Sequence, residues 1–373
     1  MLHPFDDYPL HQTGRPLLHS ASHSSDHFDR YFFNGYSRDG SMFFAATLAV
    51  YPNRDVIDAA FSVALNGEQI SVMASGRAPS DRNHTLSGPI RVEILEPMRL
   101  LRITVQQAEG LAAELTFQAR SVAVEEPHYF RSAGADSPMD YTRLVQWGAW
   151  QGWVSVDGVR RELEPTNTWG SRSRSWGVRL VGEATGRGAP SRTLPQQFRL
   201  SAPLNFEDCV TSFDCNEDTD GRRWHSGGSI IPLIAGRDAP TVDPGGIVEP
   251  LRTIDYAIDW ELGTRRAQSC SIILQPWRGD TEIIRLEPLL TFQMVNLGYG
   301  HLTWNHGTWQ GEDEVRGERI RPVTLDPTAP ENLHVQQLCR ATWGRRRGMG
   351  VLEQVALGEH QPTGLIGFTE GAS

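Results

Sequence analysis

The sequence predicts an all-β protein made of two tandem antiparallel β-barrel or sandwich domains. Three observations support this prediction: apolar and polar residues alternate along many short segments, turn-forming pairs separate those segments, and two motifs of the first half recur in the second. Alternation with a period of two turns one face of a strand towards a core. No segment keeps the 3.6-residue period of an amphipathic helix over three turns.

The turn-forming pairs identify β-hairpins. Asn-Gly and Asp-Gly favour the primed turns, whose twist matches that of the strands they join. Such pairs stand at 39–40, 66–67 and 157–158, each between two alternating segments. Further alternating segments between 92 and 119 follow one another through short turns. Because consecutive hairpins build antiparallel sheets, we expect the strands to pair mostly with their sequence neighbours.

Two sequence motifs recur in the same order, which indicates a tandem duplication of one β domain. QWGAWQG at 146–152 is matched by NHGTWQG at 305–311. Further along, WGSR at 169–172 is echoed by WGRR at 343–346. Because tryptophan is a rare residue, two such matches in one order favour a repeated structural unit.

The duplication divides the chain into three predicted parts. Residues 1–28 form a polar leader rich in histidine and serine, residues 29–190 the first domain and residues 196–373 the second. The linker is expected at 186–196, where the sequence GRGAPSRTLPQ is typical of a loop.

The basic residues are all arginine, because no lysine occurs among the 35 that Lys and Arg contribute together. This excludes Schiff-base chemistry on lysine, anchoring of pyridoxal phosphate and the lysine of a phosphate-binding P-loop. The alternative explanation for the complete use of arginine in place of lysine is a biased base composition of the genome. The formal net charge of −10 argues against nonspecific binding of nucleic acid.

The chain shows no sign of secretion or of membrane insertion. No apolar run approaches the ~18 residues of a membrane span, and residues 1–18 lack the apolar stretch of a signal peptide. Cys209, Cys215, Cys270 and Cys339 show no CxxC pairing and are expected to be reduced thiols. We therefore predict a cytoplasmic protein that is a monomer or a homodimer.

No metal site and no cofactor are predicted. His19, His23 and His27 have i, i+4 spacing, but the serines around them indicate a polar leader. His301 and His306 are five positions apart and would fall on opposite faces of a straight strand. Glycine-rich segments lack the following helix that a nucleotide-binding motif needs.

The repeat also singles out candidate site residues. Trp147 and Trp153 of the first half align with His306 and Glu312 of the second, so two titratable groups replace an aromatic wall. An apolar pocket with few ionisable groups is the usual form of a small-molecule site. Six residues of straight strand span ~20 Å, so His306 and Glu312 meet only if an intervening glycine bends the strand. The alternatives are a hydrogen-bonded core histidine and a glutamate at a solvated rim.

Glu353 is a further candidate, because it lies in the otherwise apolar segment GMGVLEQV. A carboxylate there is either paired or has a raised pKa, and a raised pKa would make it a proton donor. The alternative is a structural ion pair with one of the arginines at 345–347. Arg172 and Arg174 either clamp an anionic ligand or bridge the two domains.

With the strings WGSRSRSWGVR and WNHGTWQGE in view, the chain resembles the tandem lipocalin-like proteins, which include carotenoid 1,2-hydratases, tocopherol cyclases, AttH-like proteins and fungal Diels–Alderases. The resemblance covers about Tyr31 to Phe368. It implies two lipocalin-like β domains, an apolar cavity for a polyene, terpenoid or polyketide, and chemistry without a cofactor. In the hydratases a His/Tyr/Asp cluster is the suspected acid site; here Glu353 stands near that place, and Val351 occupies the position of the expected tyrosine.

The resemblance and the residues together predict a cofactor-independent hydratase, dehydratase or cyclase that protonates an alkene in an apolar, terpenoid- or polyene-like molecule. Glu353 would donate the proton, His306 would assist it or handle water, and Glu312 is the third catalytic candidate. The expected substrate-binding residues are Trp147, Trp153, Trp304, Trp309, Tyr299, His301, Arg172 and Arg174. The alternatives are a carrier of a lipophilic small molecule and a pericyclic, Diels–Alder-type cyclase, which the fold alone does not separate.

Overall fold

The computed structural model describes residues 20, 22–131, 139–182 and 194–373. Within these ranges every long element is a β-strand and no α-helix occurs, which confirms the all-β prediction. His19 of the predicted leader lies outside the described residues, as does most of the linker predicted at 186–196. The described part has no helix with the length and apolar character that crossing a membrane requires.

Thirteen strands follow one another in the first half of the chain. They are β1 (His27–Ser37), β2 (Met42–Tyr51), β3 (Val56–Leu65), β4 (Glu68–Gly76), β5 (Leu86–Ser87), β6 (Ile90–Glu96), β7 (Leu100–Ala108), β8 (Leu111–Ala119), β9 (Val124–Glu125), β10 (Tyr129–Arg131), β11 (Met139–Val156), β12 (Val159–Leu163) and β13 (Thr168–Arg179).

The second half of the chain adds eleven strands and four short 3-10 helices among its described residues. The strands are β14 (Gln197–Ser201), β15 (Leu204–Asn205), β16 (Cys209–Glu217), β17 (Arg223–Pro232), β18 (Glu249–Pro250), β19 (Thr253–Trp260), β20 (Ala267–Gln275), β21 (Glu282–Gln293), β22 (Glu314–Ile320), β23 (His334–Trp343) and β24 (Arg346–Leu357). The 3-10 helices are Val295–Leu297, Pro322–Thr324, Pro330–Asn332 and Gln361–Thr363.

The first sheet has fourteen strands in the order β22-β4-β3-β2-β1-β13-β11-β8-β7-β6-β5, with β9, β10 and β12 paired to β11. The sheet curls on itself, because β5 and β6 at one end contact β3 near the other. Its enclosed face carries an aromatic cluster in which Phe33, Phe44 and Phe117 pack against Trp150, with ring centroids 5.2 to 6.0 Å apart. Burying one phenylalanine is worth ~2–3 kcal/mol, so this cluster stabilises the curled sheet.

The second sheet has ten strands in the order β18-β17-β16-β14-β24-β23-β21-β20-β19, with β15 paired to β16 and β24. It also curls, because β17 contacts β19. Its apolar core includes Phe198, Phe206, Phe213 and Trp343. All four cysteines are buried in the second half of the chain, and none forms a disulfide.

The chain separates into two compact units. Unit 1 contains the described residues up to 182 together with 234–243 and 296–320, and unit 2 contains 194–233, 244–295 and 321–373. Strand β22 therefore belongs to unit 1, where it pairs with β4 although it lies far along the chain. A sequential division of the chain does not show this exchange of segments.

Two of the three predicted turn pairs have the primed backbone, whereas at Asp39-Gly40 only the glycine has a positive φ, of 80°. Asn66 and Gly67 have φ angles of 53° and 78°, and Asp157 and Gly158 have φ angles of 49° and 79°. Positive φ at both central residues is the mark of the type I′ turn, which Asn-Gly and Asp-Gly favour. The local signal for antiparallel hairpins is confirmed.

The matched motifs, in contrast, do not occupy equivalent places. QWGAWQG lies within β11, whereas residues 305–311 form no strand and belong to unit 1. WGSR lies inside the single strand β13, but WGRR spans the turn between β23 and β24. The alignment of Trp147 with His306 is therefore wrong as a structural equivalence. The two halves of the chain share one feature: the first strand of each half pairs with the last strand of that half, β1 with β13 and β14 with β24.

Candidate functional site

A row of side chains across the first three strands of unit 1 prepares the site. Arg30 on β1 lies opposite Ala49 on β2, and Ala49 lies opposite Asp58 on β3. Residues opposite each other share a face of the sheet, and this face is the one opposite the aromatic cluster. The small Ala49 side chain leaves a gap between a guanidinium and a carboxylate.

His306 fills this place from the loop that follows the 3-10 helix at 295–297. Arg30 Nη1 donates to His306 Nε2 at 3.3 Å, and His306 Nδ1 lies 3.7 Å from Asp58 Oδ2. The imidazole is 5% exposed. Burial lowers the pKa of His306 to about 4, and the neighbouring Asp58 opposes this shift only in part. His306 is therefore neutral at pH 7.

The tautomer of His306 follows from its neighbours. A guanidinium only donates hydrogen bonds, so Nε2 must accept and the proton must sit on Nδ1, facing Asp58. Asp58 is held in place by two more donors, the hydroxyl of Tyr51 at 3.4 Å and the backbone N–H of Gly307 at 2.8 Å. The carboxylate is thus positioned to stabilise an imidazolium whenever Nε2 takes up a proton.

Two arginines and a tyrosine complete the group. The Arg30 and Arg179 guanidinium carbons lie 4.9 and 5.8 Å from the centroid of the Tyr299 ring. The same ring meets the imidazole of His306 edge-on at 4.6 Å. Burial lowers the pKa of Arg30. We call Arg30, Tyr51, Asp58, Arg179, Tyr299 and His306 the His306 cluster.

The loop reaches this position only with glycine at 298. Gly298 has a φ of 87°, and a Cβ atom there would stand 2.9 Å from His306 Nδ1. The backbone N–H of His306 donates to the carbonyl of Gly298 at 3.0 Å, which closes the loop. His301 fastens its outer part, because its Nδ1 accepts from the Trp304 N–H at 2.8 Å and its Nε2 lies 3.2 Å from Glu318.

The remaining predicted residues of unit 1 are spread out. Glu312 lies at the surface and accepts from Arg77 Nε at 2.7 Å, and Trp309 stacks at 5.3 Å on the same arginine and is 45% exposed. Trp153 stacks with Arg160 at 4.4 Å. Trp147 is fully buried, and its indole N–H has no hydrogen-bond partner. Among the predicted binding residues, Tyr299 contacts the His306 imidazole through its ring.

Arg172 and Arg174 are buried inside unit 1. Arg172 Nε donates to Gln146 Oε1 at 2.9 Å. Arg174 forms an ion pair with Asp29 and stacks at 3.9 Å on Tyr31. Their role in ligand binding stays a prediction.

Glu353 lies in unit 2 and has its own partners. Its Oε1 accepts from Arg199 Nη1 at 2.7 Å and lies 2.9 Å from His334 Nε2, and its Oε2 accepts from Gln336 at 3.1 Å. Arg199 also donates to Asp214 at 2.6 Å. The partner is thus Arg199, whereas the arginines at 345–347 are exposed. We call Arg199, Asp214, His334, Gln336 and Glu353 the Glu353 cluster. Donated hydrogen bonds favour the charged carboxylate, and a role as proton donor stays a prediction.

Sequence reasoning missed four members of the His306 cluster: Arg30, Tyr51, Asp58 and Arg179. Asp58 carried a signal, because it stands in the otherwise apolar segment VIDAAFSVAL of β3. Arg30 carried a similar one between the aromatic residues of β1. Both signals were missed because a polar residue on the second face of a strand is normally expected to face water. In β1 and β3 both faces are buried. Among the described residues no group of three or more His, Cys, Asp or Glu side chains is placed to hold a metal ion.

Two solved structures have a similar fold. A protein described as AttH from Nitrosomonas europaea aligns with a TM-score of 0.53 and 10% identity, over 90% of this chain and 94% of its own. Kievitone hydratase from Nectria haematococca aligns with a TM-score of 0.50 and 11% identity, over 88% of each chain. These likenesses show a two-domain lipocalin-like fold, as the resemblance implied.

The family assignment is separate from these structures. No curated protein matches the sequence. Residues 2–366 match a family of unknown function, DUF8625, and the chain belongs to that family.

Proposed function

We propose that this member of the DUF8625 family is an enzyme that moves a proton on a hydrophobic small molecule, in a hydration, dehydration or ring closure. His306 is the base, Asp58 stabilises its protonated form, and Arg30 stabilises negative charge on a substrate oxygen. The proposal shares the reaction class expected from the sequence and gives the proton transfer to His306. Glu353 has no part in it, because its carboxylate is held by Arg199.

One observation carries the proposal: a buried neutral imidazole lies between a guanidinium and a carboxylate. A histidine that only supports a core needs one hydrogen-bond partner and no flanking charges. Here Asp58 lies behind Nδ1 and Arg30 in front of Nε2. A base oriented by a carboxylate is the arrangement that general-base catalysis requires.

The proposed reaction is redox-neutral and needs no electron acceptor. When the substrate draws the Arg30 guanidinium to its oxygen, Nε2 takes a proton from the carbon next to a carbonyl group, and the electron pair of that C–H bond forms an enolate. The imidazolium then returns the proton to a β-hydroxyl group, the C–O bond breaks, and water leaves. The reverse sequence adds water. In a ring closure the same proton returns to carbon or oxygen of the product.

The fold supports a small-molecule enzyme without selecting the reaction. Kievitone hydratase has a similar fold at 11% identity, and a fold hosts many activities, so the site must carry the assignment. The site supplies a base, a carboxylate and a cation within one buried cluster. A few convergent ionisable groups in otherwise apolar surroundings are typical of small-molecule sites.

The test is a conversion experiment without a known substrate. The protein is incubated in H₂¹⁸O with a panel of lipophilic enones and β-hydroxy ketones, and mass spectrometry follows gain or loss of water. We expect at least one compound to be converted by the wild type and not by the variant His306→Asn, whose amide approximates Nδ1 and carries no basic nitrogen. Conversion at equal rates by both proteins would refute the role of His306.

A cavity in unit 1 favours a second candidate, a carrier of a small molecule. The cavity has a volume of about 270 Å³ and is lined by Tyr31, Thr85, Val92 and Ile94 among others. Tyr31 alternates with Arg30 along β1, so the cavity lies on the face opposite His306. A carrier would retain its ligand chemically unchanged there, and Val92→Trp would abolish binding while His306→Asn would not.

A further inference from the structure

We infer that Arg30 and Arg179 bind an anionic oxygen group of the substrate, a carboxylate or an enolate. This inference deepens the proposed function and rests on it, since it names the chemistry of the molecule on which His306 acts. Four observations carry it: the unused donors of the two arginines, the charge balance of the cluster, the position of Tyr299, and the small residues beside Arg30.

Each of the two arginines has a donor without a partner. The Nε atoms of Arg30 and Arg179 are buried and form no hydrogen bond. Arg30 as a whole is 7% exposed. A buried donor left unsatisfied costs ~1–3 kcal/mol, and more when the group is charged. A bound acceptor would remove this cost at both atoms.

The charges around the two guanidinium groups do not balance. The charged or titratable neighbours that act most on Arg30 are Tyr299, Arg179, Tyr51 and Arg143, which are two phenols and two cations. Arg143 is compensated by Glu126 at 3.3 Å. Asp58, the carboxylate of the cluster, is occupied by Tyr51, Gly307 and His306. Within the cluster, two guanidinium groups thus share one carboxylate, Asp58, and a neutral imidazole.

Tyr299 sets the direction of the two arginines. Both guanidinium groups pack on its ring, which leaves their edges for a ligand. Arg30 Nη1 is already bound to His306 Nε2. An oxygen held at Arg30 Nε would be bound by the same guanidinium that contacts the base, so we expect the bound anion and the atom to be deprotonated to belong to one end of the substrate.

Small residues flank Arg30 on both neighbouring strands. Arg30 lies opposite Ala49 on one neighbouring strand and opposite Ser175 on the other. Phe28 and Phe32 precede and follow it on the same face of β1, and the Phe28 ring packs at 4.9 Å on Arg179. A planar carboxylate or enolate that continues into an apolar body fits this setting, because arginine binds planar oxygen pairs through two parallel hydrogen bonds.

The experiment compares trans-cinnamate with its uncharged methyl ester as ligands of the full chain, by isothermal titration at low salt. We expect the acid to bind at least about tenfold more tightly than the ester, a preference of ~1.4 kcal/mol. Arg179→Gln should bring this ratio close to one, and Arg30→Gln should do the same. Arg278→Gln, at an exposed position of unit 2, is the matched control and should keep the ratio.

Arg30 is buried, so its glutamine variant is first checked for folding by circular dichroism; Arg30→Lys and Arg179→Gln carry the test if that variant unfolds. Equal binding of acid and ester, absence of binding by the acid, or an unchanged ratio in Arg179→Gln overturns the inference. Binding is measured separately in His306→Asn, which should keep the preference for the acid. A preserved preference with normal turnover in His306→Asn would refute the proposed function and leave the anion site standing.

Discussion

The two units each bury a polar cluster, and the clusters differ in how their carboxylate is held. In the Glu353 cluster of unit 2, both carboxylate oxygens of Glu353 accept hydrogen bonds, one of them directly from the Arg199 guanidinium. In the His306 cluster of unit 1, Asp58 accepts from a phenol and a backbone N–H and lies behind the neutral imidazole, to which Arg30 donates. A carboxylate behind an imidazole stabilises its protonated form, whereas a carboxylate bonded to a guanidinium is held as a charged partner. This contrast is the basis on which we propose chemistry at the His306 cluster and a structural role for the Glu353 cluster.

A second contrast supports this division. In unit 1 an aspartate on β1, Asp29, pairs with an arginine on β13, Arg174. In unit 2 the signs are reversed, since Arg199 lies on the first strand and Glu353 on the last. Both pairs join the two strands that pair in each sheet, β1 with β13 and β14 with β24. The acid and the base exchange strands between the two units, and the strands pair in both. A structural role therefore explains these ion pairs best.

The largest expected effect is on turnover. His306→Asn should lower kcat on the compound found in the conversion experiment by about 10²–10⁴, the usual contribution of a general base. The same change should leave the folded fraction at pH 7 unaltered. Steady-state kinetics and a thermal melt measure the two quantities. Turnover within twofold of the wild type would contradict the role of His306 as a general base.

Glu353→Gln should have the opposite profile. Because the change discharges one partner of a buried ion pair, we expect the free energy of unfolding to fall by about 3 kcal/mol, with kcat unchanged at temperatures where the variant is folded. Urea denaturation measures the first quantity. The matched control is Glu312→Gln, whose exposed pair with Arg77 is screened by water and should contribute little to stability. A kcat loss of tenfold or more in Glu353→Gln would instead support its role as proton donor.

Stability should depend on pH in two separate windows. Burial lowers the pKa of His306 to about 4 in the folded protein. Between pH 6.5 and 4 this histidine is therefore protonated in the unfolded chain and neutral in the folded chain. Stability is therefore unaffected above pH 6.5 and falls as the pH drops through this window, by ~3 kcal/mol at about 1.4 kcal/mol per pKa unit. The groups facing His306 are Arg30, Asp58, Arg179 and the two tyrosines of the cluster.

Glu217 of unit 2 titrates lower. Burial raises its pKa, but hydrogen bonds from His360, Arg223 and Tyr256 outweigh this and lower it to about 2. Its contribution is complete above pH 4.5 and is lost as the pH falls towards 2. Urea denaturation of His306→Asn between pH 7 and 4 should thus show a flatter curve than the wild type, with the loss below pH 4.5 retained. Identical curves would contradict the neutral buried imidazole.

The smallest expected effect comes from the loop. Gly298→Ala should cost about 1 kcal/mol of stability, because alanine at positive φ is strained, and should lower kcat about tenfold by displacing the imidazole. Gly67→Ala is the control: Gly67 has a φ of 78° and no atom within 4 Å of an added Cβ. It should show the same loss of stability with kcat unchanged. Equal kcat in both variants would show that the imidazole position is not critical.

Much of the fold could be predicted because its signals are local. Alternation along β8 and the pairs Asn66-Gly67 and Asp157-Gly158 act within a few residues, and each appears where it was expected. His306 was singled out for its contrast with Trp147, and that contrast rests on an alignment which the structure does not support. The prediction of a buried histidine with a role in chemistry is now based on different neighbours.

The members of the cluster could not be predicted together. Arg30 and Asp58 face each other across Ala49 through strand register, and His306 is 276 residues from Arg30 in sequence. Register depends on pairing across strands, which no single segment encodes. The exchange of 296–320 into unit 1 is equally invisible locally, since β22 binds β4 through backbone hydrogen bonds that carry little sequence preference.

By itself the sequence determined an all-β chain, its hairpins, the absence of lysine chemistry and a resemblance to tandem lipocalin-like proteins. These follow from composition and from interactions between near neighbours in the chain. Only the tertiary structure decided that Glu353 pairs with Arg199 and that His306 lies between Arg30 and Asp58. The physical reason is burial: a side chain's partners and pKa depend on which distant groups share its water-free surroundings.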